Sequence, residues 1–259
     1  KFCAFVDFSV DRDILKIAEA LDFAPFRLIF HPARPDLFSQ EPLLAIKSHW
    51  LWLQDMLWTQ IPETRMHHGH IALLEEDHVV TPDYYEVMHL LVQRKKEHCP
   101  LCWGICVRYG CKDVHDSEPY KICRSHSVIN TGIAFNRTTY DAIKRSDFAS
   151  FSDGWDWSLF HLAQTGQMPD MMLAPAVSRI RNIGVHGATV TEEANDDFLL
   201  GQLDYSDVGR NANFDPESFY IDQSVPMVYV PPSWEPLFMG QVGFITELGH
   251  DQSLRSQNN

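Results

Sequence analysis

Two short acidic segments carry residue types suited to chemistry. Glu75-Glu76-Asp77 closes an apolar run. Carboxylate oxygens grouped this closely suit a hard divalent cation, which shares its remaining positions readily with phosphate oxygens. An acidic run is also found as a plain solvated loop, and the local sequence leaves both readings open. The second segment is Ser152-Asp153-Gly154-Trp155-Asp156-Trp157. An Asp in the first turn of a helix complements the helix dipole, whereas Asp156 flanked by two indoles also reads as a carboxylate in a partly dry site, suited to general-base work. The two roles are compatible. Among thirteen histidines, His67, His68 and His70 read as surface or hydrogen-bonded structural residues. His186 differs because Gly184-Val185-His186-Gly187 places glycines around it, which permits close approach of a ligand. The chain holds no Gly-rich phosphate cradle of the P-loop or dinucleotide type and no G-x-S-x-G nucleophile elbow.

The elements that must position these residues follow from the hydrophobic pattern. Phe2 to Phe8 and Phe26 to Phe30 read as strands around a helix over Asp11–Leu21, an order that implies parallel pairing with a crossover. After a Pro-containing loop from His31 to Pro42, Leu43 to Trp58 reads as an aromatic-rich helix. The continuous apolar run His70–Leu74 is expected to be a buried central parallel strand. It delivers Glu75-Glu76-Asp77 to the strand end, the edge at which open α/β sheets bind ligands. A helix is expected from Thr81-Pro82-Asp83, with Thr as cap and Pro in the first turn, to about Lys96. Ile133–Phe135 and Met227–Val230 read as strands, and Thr138–Lys144 and Trp155–Gln164 as helices.

Composition narrows the function classes. The 259 residues and a hydrophobic fraction of 45% fit one large globular domain. A formal net charge of -14 opposes nucleic acid and anionic lipid, so nucleic acid is not an expected partner. On so acidic a chain, an anionic ligand such as a nucleotide diphosphate calls for a divalent cation. No apolar run is long enough to cross a bilayer, and no signal peptide is visible. The start at Lys1 reads as that of a processed or truncated piece. Five of the six cysteines fall between Cys99 and Cys123. Cys99-Pro100-Leu101-Cys102 has zinc-ligand spacing but lacks a second C-x2-C, so a loop stapled by disulfides in an oxidising compartment is the preferred reading, with Cys3 as a buried thiol. Asn136-Arg137-Thr138 is a glycosylation sequon, which has meaning only in the secretory pathway.

Taken in order, Lys47-Ser48-His49-Trp50-Leu51-Trp52, Leu74-Glu75-Glu76-Asp77-His78 with Pro82-Asp83-Tyr84-Tyr85, Cys99-Pro100-Leu101-Cys102, Asn130-Thr131-Gly132, Trp155-Asp156-Trp157 and Arg179-Ile180 resemble the N-acetylglucosaminyltransferase II family over nearly the whole chain. The resemblance implies an α/β GT-A fold, a Rossmann-like mixed sheet flanked by helices, with residues 1–250 as one catalytic domain and 251–259 as a polar tail. It implies UDP-GlcNAc as donor, Mn2+ as cofactor and inverting β-1,2 transfer to the 2-hydroxyl of a mannose in an N-glycan acceptor. Asp77 matches the family's metal ligand, Glu75 and Glu76 match positions facing the donor sugar and ribose, and Asn130, Thr131 and Gly132 would line the donor pocket. Asp156 matches the catalytic base. The family's metal-binding His aligns with Asn182, which leaves His186 as the substitute ligand. By the same resemblance the first strand and helix of the fold, with an Arg contributing to nucleotide binding, are expected to lie outside this chain. The implied compartment is the Golgi lumen, with membrane attachment only through an anchor outside this chain. A related first-step N-glycan or O-mannose transferase shares the motifs, and an inactive glycan-binding fragment is the alternative of a different class.

Overall fold

A computed structural model describes residues 2–7, 13, 16, 20, 26–31, 41–111, 118, 120–126, 128–184 and 215–222. They gather into two compact units, Lys1–His68 with Ser150–Ser158, and Gly69–Ala149 with Leu159–Asn259. In the first unit β1 (Phe2–Asp7) and β2 (Phe26–His31) pair in parallel, with Phe2 opposite Phe26 and Asp7 opposite His31, as the strand, helix, strand reading requires. Of the helix expected between them, Asp13, Lys16 and Ala20 are described and helical. The strand expected at Met227–Val230, the 251–259 tail and the side chain of Cys3 lie outside the described residues.

Helix α1 (Pro42–Asp55) opens on a proline, whose missing N–H costs nothing in a first turn, and runs on into a π-helical turn, Met56–Gln60. There the Ile61 N–H reaches back five residues to the Met56 carbonyl, and Trp58, fully buried, donates its indole N–H to Gln54 at 3.3 Å. The Leu43–Trp58 helix read from the sequence is thus one continuous element of two windings.

The second unit is built on a six-stranded mixed sheet in the order β10-β6-β8-β5-β7-β3. Its strands are β3 (His70–Ala72), β5 (Gly104–Cys106), β6 (Lys121–Ser125), β7 (Ile133–Asn136), β8 (Met172–Pro175) and β10 (Tyr220–Ile221). β10 pairs parallel with β6 and β5 parallel with β8, and the other three pairings are antiparallel. A separate ribbon joins β4 (His78–Val80) to β9 (Ile180–Asn182) in antiparallel register. Helix α2 (Tyr84–His98) buries Val87, Leu90 and Leu91 in one core with Ile105, Ala134 and Leu173 of the sheet. On β7 the side chains alternate between faces, so Ala134 joins that core while Phe135 meets Trp103, their ring centroids 6.3 Å apart. Helix α3 (Arg137–Arg145) follows β7 directly, and Asn136 caps it by accepting the Thr139 N–H at 3.1 Å. Helix α4 (Trp155–Gln164) has its first four residues in the first unit and the rest in the second, and Leu159 and Leu162 are buried.

Two expectations are corrected. The run His70–Leu74 yields a three-residue, half-buried strand at the end of the described sheet order, antiparallel to β7, rather than a central parallel strand. Three residues are too few to show alternation, so an apolar run cannot distinguish a two-sided strand from an end one. Helix α2 starts at Tyr84 rather than at Thr81, because Thr81 is engaged with the carbonyl of Arg179. The preferred reading of a disulfide-stapled loop is borne out by Cys99–Cys102 and Cys111–Cys123, which leave those four cysteines no thiolate for zinc. Cys106 stays a buried free thiol whose pKa burial pushes up to about 12.

Lys95, in the last turn of α2, is only 4% exposed, and burial lowers its pKa to about 8, with neighbouring Lys96 adding to the effect. The folded protein therefore holds this proton less tightly than the unfolded chain, whose lysine titrates near 10.5. Below pH 8 the buried charge is a constant penalty, and stability recovers as pH rises from 8 towards 10.5. Lys95→Met should stabilise the protein at pH 7 by on the order of 3 kcal/mol at most, with the gain shrinking by pH 10. Urea unfolding of both proteins at the two pH values checks this, and a gain equal at both would refute it.

Candidate functional site

The acidic segment lies where the chain leaves the sheet. Past β3 the Leu73 N–H still bonds to the Ile133 carbonyl, and the chain then turns at Glu76-Asp77 and returns as β4. Because β4 pairs with β9 with His78 opposite Asn182, Asp77 falls beside the end of β9, where its carbonyl accepts the Ile183 N–H at 2.8 Å. Its side chain is held there too. Asn182 Nδ2 donates to Asp77 Oδ2 at 2.9 Å, and Asn182 Oδ1 accepts the Gly184 N–H at 2.7 Å. A Cβ on Gly184 would collide with Asp77 Oδ2, so glycine is required for this approach. Asp77 Oδ1 is buried and accepts no hydrogen bond among the described residues, whereas Glu75 and Glu76 are exposed.

Carboxylate oxygens of Glu75 and Asp77 and a ring nitrogen of His78 lie within 4.8 Å of one another. The imidazole is not equivalent to the carboxylates. Its Nδ1 accepts the Glu75 N–H at 3.0 Å, so in the neutral ring the proton sits on Nε2, which lies 3.6 Å from Glu75 Oε2 and 3.9 Å from Asp77 Oδ1. Burial lowers the His78 pKa, the Asp77 and Glu76 charges oppose this, and Arg108 adds to it. A neutral His78 therefore faces the carboxylates with its Nε2–H, at a separation longer than a hydrogen bond to either. A cation fits at Asp77 Oδ1 with Glu75 as neighbour, since a buried carboxylate oxygen lacking a partner is what a hard cation satisfies. His186 lies outside the described residues. Asn182, with its amide oxygen on Gly184, serves as a clamp on Asp77.

The ribbon is pinned to α2 by one ion pair. Arg179, 1% exposed, donates from Nε to Asp83 Oδ2 at 2.8 Å and from Nη1 to the Val177 carbonyl at 2.7 Å. Thr81 completes the pin, donating its hydroxyl to Asp83 Oδ1 at 2.6 Å and its N–H to the Arg179 carbonyl at 3.0 Å. Asn130-Thr131-Gly132 forms the turn into β7. Gly132 has φ 69° and its carbonyl accepts the Val107 N–H, and a Cβ there would come within 2.7 Å of Val107. Arg108, just past β5, reaches the buried Thr131 hydroxyl at 3.5 Å, and its charge also acts on His78. Sequence reasoning passed over Arg108, although a lone cation ending the apolar run from Cys102 to Val107 marks a strand end.

Asp156 belongs to the first unit, half-buried in the first turn of α4, and its Oδ1 accepts the N–H of Trp157 at 2.9 Å. The two flanking indoles do not enclose it. Residues two apart on a helix point to opposite sides, so Trp155 is buried and stacked on Trp50, with centroids 5.3 Å apart and planes 2° apart, whereas Trp157 is 57% exposed. The dipole-complementing role expected of Asp156 is present as this first-turn contact.

The sequence model of the family described as N-acetylglucosaminyltransferase II (MGAT2) matches residues 31–204. Among curated relatives, the alpha-1,6-mannosyl-glycoprotein 2-beta-N-acetylglucosaminyltransferase of Arabidopsis thaliana is 30% identical over 46% of this chain and 28% of its own length. Proteins of the same name from Sus scrofa and Homo sapiens are 28% and 27% identical over 72% of this chain, and 44% and 43% of theirs. The chain spans less than half the length of these relatives.

Removing one partner of the buried pin leaves the other charge uncompensated, so Arg179→Met and Asp83→Asn should each destabilise the protein by about 3–5 kcal/mol. The double variant should lose clearly less than the sum. A double-mutant cycle by urea unfolding measures this, and strictly additive losses would mean that the two side chains are not coupled.

Proposed function

The chain belongs to the N-acetylglucosaminyltransferase II family, and on that premise we propose that it carries out Mn2+-dependent transfer of GlcNAc from UDP-GlcNAc to the 2-hydroxyl of an N-glycan mannose, with inversion to a β-1,2 linkage. The observation that carries the reading is the Asp77 carboxylate, held by Asn182 on one oxygen and left without a partner among the described residues on the other, within the segment that the family model matches. Asp77, with Glu75 beside it, would hold the cation. Bound there, Mn2+ supplies neutralisation of the charge that develops on the leaving diphosphate. Glu75 and Glu76 would meet the donor sugar and ribose, and the Asn130-Thr131-Gly132 turn would line the donor pocket.

Asp156 takes the proton from the acceptor hydroxyl as that oxygen attacks the anomeric carbon in a single displacement. The bond to UDP breaks on the opposite face through an oxocarbenium-like transition state, so no covalent enzyme intermediate forms. The mixed sheet flanked by helices supports a GT-A fold for the whole enzyme. The two disulfides support an oxidising compartment and hence the Golgi lumen. No helix among the described residues is long and apolar enough to cross a membrane, so any anchor would come from elsewhere in the full protein.

Titration with UDP and Mn2+, followed by turnover on a mannose-terminated N-glycan, tests both assignments. Asp77→Ala should weaken Mn2+-dependent UDP binding at least tenfold. Asp156→Asn should leave that binding intact while turnover falls about 10²–10⁴-fold. An Asp156→Asn protein that turns over at the wild-type rate would remove Asp156 from the base role.

A further inference from the structure

We propose that Lys47 is a positioning residue for Asp156, acting through residues 151–154; this rests on the reading of Asp156 as the base. Lys47 lies on α1 and is only 3% exposed, a position where an apolar side chain would ordinarily pack. Its Nζ donates to the Phe151 carbonyl at 2.5 Å and stands 6.0 Å from the centroid of the Phe151 ring. Burial lowers its pKa, and the charge of Asp153 in the segment it holds offsets part of that effect. Three residues on, along the same side of α1, Trp50 stacks on Trp155. One helix therefore grips the segment at both ends, by a carbonyl at Phe151 and an indole at Trp155.

Between those grips the segment is closed onto the first turn of α4. The Ser158 N–H donates to the Gly154 carbonyl at 2.9 Å, and the Ser158 hydroxyl to the Asp153 carbonyl at 3.4 Å. A Cβ on Gly154 would lie 3.1 Å from Asp156 Oδ1, so the glycine leaves the carboxylate its place. Asp156 thus takes its position from backbone fixed on either side, and the Lys47 hydrogen bond is the fixing point on the N-terminal side.

The experiment uses the full chain and the variants Lys47→Met and Lys47→Arg, with two readouts. The first is amide hydrogen exchange at Ser158, referred to that at Leu91 in α2. The second is turnover per molecule competent to bind UDP with Mn2+, so that a smaller folded fraction is divided out. In Lys47→Met, exchange at Ser158 should speed up at least tenfold with Leu91 unchanged, and turnover per competent molecule should fall at least tenfold. Lys47→Arg keeps a buried donor and should lie between Met and wild type on both scales. Protection lost with turnover kept, or turnover lost with protection kept, in either variant overturns the proposal. A Met variant that does not fold leaves the Arg variant to decide by the same pairing. The exchange readout does not depend on which residue is the base, so a wild-type rate in Asp156→Asn would be recognised as failure of that reading alone.

Discussion

Arg179 and Asp83 form a charge pair with 1% and 12% of their side chains exposed, and the second unit is organised around it. Removing two charges from water costs several kcal/mol per ion, and such a pair is tolerable only when its remaining donors and acceptors are met. Here the Val177 carbonyl accepts from Nη1 of the guanidinium and the Thr81 hydroxyl donates to the second carboxylate oxygen. What the pair achieves is placement. It joins the chain just before β9 to the turn that opens α2, and Thr81 binds the Arg179 backbone from the other side. With those two points fixed, the β4–β9 pairing has one register, and that register puts Asn182 beside Asp77. A polar contact whose members lie six residues past Asp77 and three residues before Asn182 thus decides which side chains meet at the acidic segment.

The pairing also explains which parts of the site could be read from the sequence. Glu75-Glu76-Asp77 was legible because carboxylates ending an apolar run mark a strand end, and the ends of α4 were legible from its apolar spacing. The strand type was not, since three residues of β3 carry no periodicity. Strands β5 and β8 were missed for a related reason. Gly104-Ile105-Cys106 and Met172–Pro175 are buried throughout, so no polar alternation announces them, and they contain glycine, alanine and proline, poor strand formers by propensity. The clamp Asn182–Asp77 and the pin Arg179–Asp83 join residues 105 and 96 positions apart, and no local pattern encodes a partner at that range.

The aromatic residues show a different limit. Trp155-Asp156-Trp157 reads along the chain as a carboxylate between two rings, yet the helix turns those rings to opposite sides. The buried ring is the partner of Trp50, which explains why Lys47-Ser48-His49-Trp50 and Trp155-Asp156-Trp157 belong to one constellation despite their separation. The sequence displays both motifs, but their contact is a tertiary fact.

Two aspartates six residues apart, Asp77 and Asp83, have opposite electrostatic fates. Asp83 is neutralised by a guanidinium that cannot lose its proton, so it is spent on structure. Asp77 is oriented by an amide, which fixes one oxygen without cancelling the charge, and its other neighbour is an imidazole that burial biases towards the neutral form. A carboxylate held by neutral donors keeps its negative charge available, which is the property a cation seat needs and a salt-bridged structural Asp lacks. On a chain of net charge -14, that residual charge would repel a diphosphate by itself, so in the proposed reading the feature that would suit Asp77 to a divalent cation is also the one that would make an anionic donor depend on it.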